Sequence, residues 1–191
     1  MTEVEREKAL TVRKLRGHPW HRPPHFDVDG SHTYLITGSC KGHEPIIGMS
    51  PERMNDFESE IIENLAPIAW CVLPNHYHLV MRTSELSHTI GIIGKFHGRI
   101  SYEWNGIDRT RGRRVWYRST DRRVRNESHL WATVNYVHHN PVRHGYCKRW
   151  QDWPYSSASS FLASVGRKRA LEVWQRHPLE EYGAKWDPQE L

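Results

Sequence analysis

The sequence predicts an α+β protein with a ferredoxin-like sandwich, in which an antiparallel sheet carries helices packed on one face. Three observations lead to this prediction. The 191 residues suffice for one domain with a substantial core, and no internal repeat or long low-complexity tract is present. The segments follow one another as strand, helix, strand, strand, helix, strand and helix. An antiparallel sheet is the economical arrangement of that order.

The first elements follow from periodicity and from residues that break regular structure. Residues 1–24 are charged at first and then rich in proline, and they are predicted to form an arm or linker. Residues 31–40, SHTYLITGSC, carry β-branched and aromatic side chains, which indicates the first strand. Residues 50–65 begin with serine and proline and place apolar side chains at three- to four-residue spacing. This pattern predicts a helix.

The middle of the chain indicates a hairpin, a second helix and a short strand. Residues 68–73, IAWCVL, and 76–82, HYHLVMR, flank a Pro-Asn turn and predict two strands. Residues 87–105 keep helical spacing of their apolar side chains despite three glycines. Residues 113–119, RRVWYRS, indicate a short strand.

The last core helix is predicted over residues 126–141. An asparagine at its start suits the N-cap, a glutamate follows in the first turn, and Pro141 marks the stop. Residues 163–191 are expected to form a C-terminal helix, over 167–177, and a tail.

Basic residues outnumber acidic ones by five, and much of this excess lies between Arg109 and Arg125, where eight arginines accompany a single acid. Arginine forks match phosphate oxygens and aromatic planes stack on bases, so this segment suits a single-stranded or irregular nucleic acid. A solvated arginine-rich loop is the alternative interpretation. The candidate DNA-binding residues are Arg109, Arg111, Arg113, Arg114, Trp116, Arg118, Arg122, Arg123 and Arg125.

Cysteine content and hydropathy limit the compartment. The three cysteines lie far apart without CxxC pairing, which indicates neither a disulfide framework nor a thiolate zinc site. No stretch approaches the roughly 20 apolar residues that cross a bilayer, and the N-terminus has no apolar signal core. We therefore expect a soluble, cytoplasmic protein.

Two histidines stand two residues apart in a predicted strand. In a strand, alternate side chains project from one face, so His76 and His78 point together while Tyr77 points the other way. Two imidazoles a few ångströms apart form half of a metal site. Alternatively, they line a half-exposed sheet face.

Tyr136 and Asn140 lie four residues apart on the last core helix and therefore share a face. That face is turned away from the apolar stripe that contains Val134 and Val137. Because a carboxamide oxygen is a hard ligand, two histidines and an asparagine would favour magnesium or manganese over structural zinc. A tyrosine nucleophile would need a nearby metal or base. Taken alone, Tyr136 is typical of an amphipathic helix residue that caps the sheet.

The combination of PNHYHL with YVHHNPVRHG resembles the motifs of the REP-associated tyrosine transposases, a branch of the single-tyrosine HUH transposases. The resemblance covers roughly residues 25–162, which would form the HUH domain. It implies a divalent cation, Mg²⁺ or Mn²⁺, held by His76, His78 and Asn140. Tyr136 would attack a phosphodiester of single-stranded DNA and leave a 5′-phosphotyrosine link, and rejoining would reverse the reaction.

The resemblance also implies a DNA partner, namely hairpins formed by short repetitive extragenic palindromes, and a protein that acts as a monomer. Arg109–Arg125 would grip the hairpin backbone, with Trp116 stacking or bracing. His139, three residues after Tyr136, is the alternative ligand or general base, whereas His138 points nearly opposite.

Two other functions stay open. One is a relative that binds hairpins without cutting, and the other is a metal-dependent phosphodiesterase that uses activated water. Whether the C-terminal tail occludes the site or binds DNA also stays open.

Overall fold

A four-stranded antiparallel sheet forms the centre of the protein, whose computed structural model describes residues 29–179 and 182–183. The predicted arm over residues 1–24 lies outside the described residues. The strands follow the spatial order β2-β3-β1-β4. They are β1 (His32–Ser39), β2 (Ala69–Val72), β3 (His76–Thr83) and β4 (Thr120–Arg123).

Five α-helices accompany the sheet in the described part of the chain: α1 (Pro51–Leu65), α2 (Leu86–Ile107), α3 (Glu127–Arg143), α4 (Ala158–Val165) and α5 (Arg167–Arg176). The predicted caps form, because Ser50 accepts a hydrogen bond from the Arg53 amide and Asn126 accepts one from the His129 amide. None of these helices is long and apolar enough to cross a membrane. Cys40, Cys71 and Cys147 carry free thiols in this structure.

Both faces of the sheet are apolar, and helices cover both. One face packs Tyr34, Ile36, Tyr77 and Leu79 against α1 and α2. The opposite face packs Leu35, Cys71 and Val80 against α3 and α5. The predicted α+β class with an antiparallel sheet is confirmed, and α1 and α2 share one face as expected. The expectation that the last core helix shares this face was wrong: α3 lies on the other face, because alternate strand residues on both sides are apolar.

The fourth strand lies beyond its predicted position at residues 113–119, so that prediction was wrong. Val115 and Trp116 are buried in the core beside α1 and α2, and residue 116 makes only an isolated bridge to Cys40. Backbone hydrogen bonds still join this loop to the end of β1, from the Lys41 amide to the Val115 carbonyl and from the Tyr117 amide to the Ser39 carbonyl. Apolar packing explains the strand-like pattern here.

Helix α3 continues through Pro141 to Arg143, so the predicted stop at Pro141 was also wrong. Proline in the last turn removes a single hydrogen-bond donor, which a helix tolerates near its end. The His144 amide still donates to the Asn140 carbonyl at 3.0 Å. Asn140 therefore stays on the helix, in line with Tyr136.

Candidate functional site

The two histidines of β3 point to the same face of the sheet, as the alternation predicts. Their ring centroids lie 5.1 Å apart, and both side chains are buried. Tyr77 points to the opposite face, where its ring packs against Phe57 in the core. The site is thus built on the face that α3 covers.

The Nδ1 atoms of both histidines lie at hydrogen-bonding distance from neighbouring side chains. His76 Nδ1 lies 2.6 Å from Asn75 Oδ1, and the Asn75 amide nitrogen donates to the His43 carbonyl, which fixes the orientation of that amide. His78 Nδ1 lies 2.8 Å from Thr37 Oγ1 on the paired strand β1. With Nδ1 as the donor in each ring, both Nε2 atoms keep their lone pairs.

Helix α3 brings two side chains to those Nε2 atoms. Asn140 Oδ1 lies 3.2 Å from His76 Nε2, and Tyr136 Oη lies 3.2 Å from His78 Nε2. The helical spacing of four residues therefore places the tyrosine and the amide where the sequence predicted them. Both side chains are almost fully buried, with Tyr136 1% and Asn140 0% exposed, whereas a face turned from the core had been expected. Tyr136 belongs to the same apolar cluster as Val134 and Val137.

The chemistry of these groups fits a cation. When Nδ1 of His76 donates to Asn75, the Nε2 lone pair and Asn140 Oδ1, 3.2 Å apart, are the two atoms that a cation would bind. A positive ion satisfies such a pair, and imidazole nitrogen with amide oxygen suits magnesium or manganese. Among the described residues, no three His, Cys, Asp or Glu side chains group closely enough to hold a metal ion. A third ligand at this place would be the Asn140 amide.

The two histidines between Tyr136 and Asn140 point elsewhere. His138 Nε2 lies 2.9 Å from Ser157 Oγ, and burial lowers the pKa of this histidine to about 3. His139 Nδ1 donates to the Asn135 carbonyl, and its ring packs against Trp150 and Trp174. The structure thus keeps His139, the alternative ligand, on a side of α3 that does not face the β3 histidines.

Three residues that the sequence reasoning missed contact the site. Asn75 and Thr37 orient the imidazoles, as described above. The His144 ring lies edge-on to His76, with centroids 5.0 Å apart. A signal for His144 exists in the sequence, because residues 136, 140 and 144 repeat at four-residue spacing along one helix face. Thr37 becomes a neighbour only through strand pairing.

The described end of the chain covers Tyr136. The Tyr182 ring packs at 5.2 Å from the Tyr136 ring, and the Tyr182 hydroxyl lies 2.8 Å from Thr133 Oγ1 and 3.2 Å from His129 Nε2. At Gly183 a Cβ atom would come within 2.6 Å of Tyr136 Cε2. Tyr182 and Gly183 therefore contribute to the burial of Tyr136, which is 1% exposed.

The arginines of this segment divide into partly buried members, Arg113, Arg122 and Arg123, and exposed ones. Asp108 accepts hydrogen bonds from both Arg53 and Arg113, and these contacts, with Arg53 as the larger cause, lower its pKa. Arg111 packs on the Tyr102 ring, and Arg123 contacts His32. Arg122 is partly buried. Arg109, Arg114, Arg118 and Arg125 are exposed.

Trp116 lies inside the core and not at the surface. Its ring stacks on His97 at 4.0 Å with an interplanar angle of 4°. Of the two predicted roles, stacking on a base and bracing the segment, this position fits bracing only. The hydrogen bond from the Tyr117 amide to the Ser39 carbonyl places the segment beside the sheet end that carries His76, because Ser39 pairs with His76.

Comparisons with known proteins converge on one family, although no protein-family model matches the chain. A Haemophilus influenzae protein assigned to the REP-associated tyrosine transposases is 30% identical over 121 residues, which span 58% of this chain and 67% of that protein. The REP-associated tyrosine transposase of Escherichia coli K12 is 30% identical over 95 residues, 47% of this chain and about half of that protein (52%). A solved structure of a REP-associated tyrosine transposase bound to a REP hairpin superposes with a TM-score of 0.57 at 20% identity, covering 75% of this chain and 86% of that one.

Proposed function

This chain belongs to the REP-associated tyrosine transposases, and on that premise we propose that it nicks and rejoins single-stranded DNA at hairpin-forming repeats, with Tyr136 as nucleophile. One observation carries the proposal. The Tyr136 hydroxyl and the Asn140 amide both meet the histidine pair of β3 at hydrogen-bonding distance, 3.2 Å in each case. A nucleophile and a set of metal ligands thus share one site.

A divalent cation held by His76, His78 and Asn140 would polarise the scissile phosphate and stabilise the charge that develops on it. Tyr136 Oη forms the new bond to phosphorus as the P–O3′ bond breaks. The tyrosine releases its proton and the leaving 3′-oxygen takes one up, so the step is neutral in protons. The phosphotyrosine link conserves the energy of the phosphodiester, which lets a 3′-hydroxyl attack it in the reverse reaction.

The remaining residues of the site orient these groups. Asn75 and Thr37 fix the two imidazole rings through their Nδ1 atoms, which leaves the Nε2 atoms directed at α3. The Tyr136 hydroxyl lies 3.2 Å from His78 Nε2, and a cation that takes the Nε2 lone pair would replace this hydrogen bond. The fold therefore places the hydroxyl beside the proposed cation before DNA binds.

The proposed DNA partner is a hairpin, in keeping with the relative that was solved with a REP hairpin. The exposed arginines of the 109–125 segment would contact its phosphates, since arginine pairs well with phosphate oxygens. The segment adjoins the sheet end that carries His76, so a duplex held there would present an adjacent single strand to Tyr136.

The test uses a library of hairpins flanked by randomised single strands, labelled at either end and incubated with Mn²⁺ or Mg²⁺. After denaturation, the 3′ label should migrate with the protein and the 5′ label with a released fragment. Tyr136→Phe and His76→Ala should abolish the adduct, and EDTA should prevent it. Tyr102→Phe, at an exposed tyrosine of α2, is the matched control and should retain it.

Other outcomes would identify other functions. Cleavage without a protein adduct would point to a phosphodiesterase that uses activated water. Binding without cleavage in the presence of either cation would indicate a hairpin-binding protein. Stabilisation by MnCl₂ in thermal unfolding, lost in Asn140→Ala, would report the cation site independently of catalysis.

A further inference from the structure

A cavity of about 280 Å³ lies near the C-terminal end of α3, walled by that helix, α4, α5 and the short helical turn before Trp153. Its apolar lining consists of Val142, Trp150, Leu162 and Leu171. Leu171 is 46% exposed, although it is a large apolar residue. This volume accommodates one planar ring system rather than a large ligand.

The rim of the cavity is basic. Lys148, Arg149 and Arg167 line it and are exposed, and no aspartate or glutamate is among the described lining residues. Arg149 pairs with Asp152, which leaves Lys148 and Arg167 as the cations best placed to meet an anion. Of the Arg-Lys-Arg sequence at the start of α5, which the proposed nicking reaction does not use, Arg167 contributes to this charge.

His139 adds an imidazole ring to the lining. Its Nδ1 lies 3.1 Å from the Asn135 carbonyl oxygen, so this nitrogen is already engaged by the backbone of α3. An apolar wall that includes the Trp150 ring, together with a cationic rim, matches a nucleobase and the phosphate attached to it.

We propose that this cavity, here called the α3–α5 pocket, binds one unpaired nucleotide of the DNA strand that adjoins a hairpin. The base lies against Trp150 and the phosphates meet Lys148 and Arg167. The inference rests on the proposed function in taking DNA as the partner. The two unpaired rim cations, Lys148 and Arg167, match two successive phosphodiesters of one negative charge each, as in a strand that continues past the pocket.

The test measures binding by fluorescence anisotropy with a blunt hairpin and with the same hairpin carrying four unpaired thymidines on its 5′ or 3′ side. The wild-type protein should bind one extended hairpin at least fivefold more tightly than the blunt one. Arg167→Glu reverses a rim charge, and Leu171→Trp fills the cavity. Each variant should bring this ratio close to one. Arg169→Glu is the matched control and should keep the ratio within twofold, because Arg169 pairs with Glu172 and does not line the pocket.

Photocrosslinking provides a second readout. An oligonucleotide with 5-iodouracil in the extension should crosslink to the peptide that contains Trp150, and Leu171→Trp should suppress this product. A ratio that does not change in the variants, or a crosslink that maps elsewhere, would overturn the proposal. If thymidine monophosphate suppresses the crosslink to the Trp150 peptide while blunt and extended hairpins bind equally, the pocket takes free nucleotides. This result would overturn the strand as its occupant.

The Tyr136 adduct separates this inference from the proposed function. Normal adduct formation with no effect of the pocket variants on the binding ratio would overturn the pocket alone. Pocket-dependent binding of the extension without any adduct would overturn the nicking reaction and leave the pocket in place.

Discussion

Tyr77 lies between His76 and His78 in the sequence, but its side chain packs on the opposite face of the sheet. Its hydroxyl lies 3.0 Å from His97 Nε2, and its ring packs against Phe57 and Trp116. An aromatic residue is needed at this position for packing, and the hydroxyl satisfies a buried histidine. Tyr77 thus links strand β3, which carries the histidine pair, to the core beneath α2.

Tyr77→Phe should therefore lower stability far more than it lowers activity. The change leaves His97 without its tyrosine partner in a buried setting, which costs about 1–3 kcal/mol of unfolding free energy. Urea denaturation measures this loss. The Tyr136 adduct should form in Tyr77→Phe but not in His76→Ala or His78→Ala, and loss of the adduct in a folded Tyr77→Phe would contradict the division between the two faces.

The lowered pKa of buried His97 also leads to a prediction of how stability depends on pH. Burial lowers its pKa to about 3 in the folded protein, against about 6.5 in an unfolded chain. Below about pH 6.5 the unfolded chain binds a proton that the folded state excludes, so stability falls as the pH decreases, by about 1 kcal/mol per pH unit from this histidine. Urea midpoints between pH 7 and pH 4.5 should show a shallower decrease in His97→Phe. An unchanged slope would refute the assignment.

At the scale of elements, strong periodicity accounts for what the sequence predicted correctly. Helices α1 and α2 and strands β1, β2 and β3 each show a clear repeat and a clear boundary, so their existence and approximate bounds were predicted. The segment around Val115 and Trp116 has the pattern of a strand, but its burial comes from packing beneath α1 and α2 rather than from a ladder. A local pattern does not distinguish these two causes.

The same reasoning explains which parts of the site could be predicted. Spacing alone paired His76 with His78 and Tyr136 with Asn140. Because Pro141 was interpreted as the end of the helix, His144 was not considered, although it caps α3 four residues after Asn140. The Nδ1 partners could not be predicted, because Thr37 meets His78 only through the register between β1 and β3. The burial of Tyr136 depends on a contact with the distant end of the chain.

The segment that covers Tyr136 supplies a prediction of its own. Gly183 has a φ of +90° and no room for a side chain against the Tyr136 ring, so Gly183→Val should displace this segment. Nitration of Tyr136 by tetranitromethane, quantified by peptide mass spectrometry, should rise several-fold. Gly166→Val is the matched control, because Gly166 also has positive φ (+76°) but open space around it. Equal nitration in both variants would contradict this contact.

At the scale of the whole molecule, adjacent arginines differ in how their charge is used. Arg113 is partly buried and donates to Asp108, whereas Arg114 is exposed. Charge that is engaged within the fold and charge that faces solvent thus lie side by side in one loop. Net charge by itself does not distinguish them.

Arg113→Ala and Arg114→Ala should accordingly change different properties, the first stability and the second hairpin binding. Arg113→Ala should lower the unfolding free energy by about 1–3 kcal/mol, because the Asp108 carboxylate then keeps Arg53 as its charged partner and loses Arg113. Arg114→Ala should leave the urea midpoint unchanged, weaken hairpin binding by about three- to tenfold, and reduce the slope of log affinity against log salt by about one. The reverse pattern would show that the loop is oriented differently toward DNA.

Strand β3 is paired on both sides, with β1 along its full length and with β2 from Tyr77 to Val80. Its amides should therefore be among the last to exchange with deuterium, since opening them requires loss of the central sheet. The imidazoles of His76 and His78 are held through their Nδ1 atoms by Asn75 and Thr37, so folding would order these proposed ligands before any cation binds. If a cation binds there, exchange across residues 76–83 should change little, and the entropy of ordering the imidazoles would belong to the folding reaction.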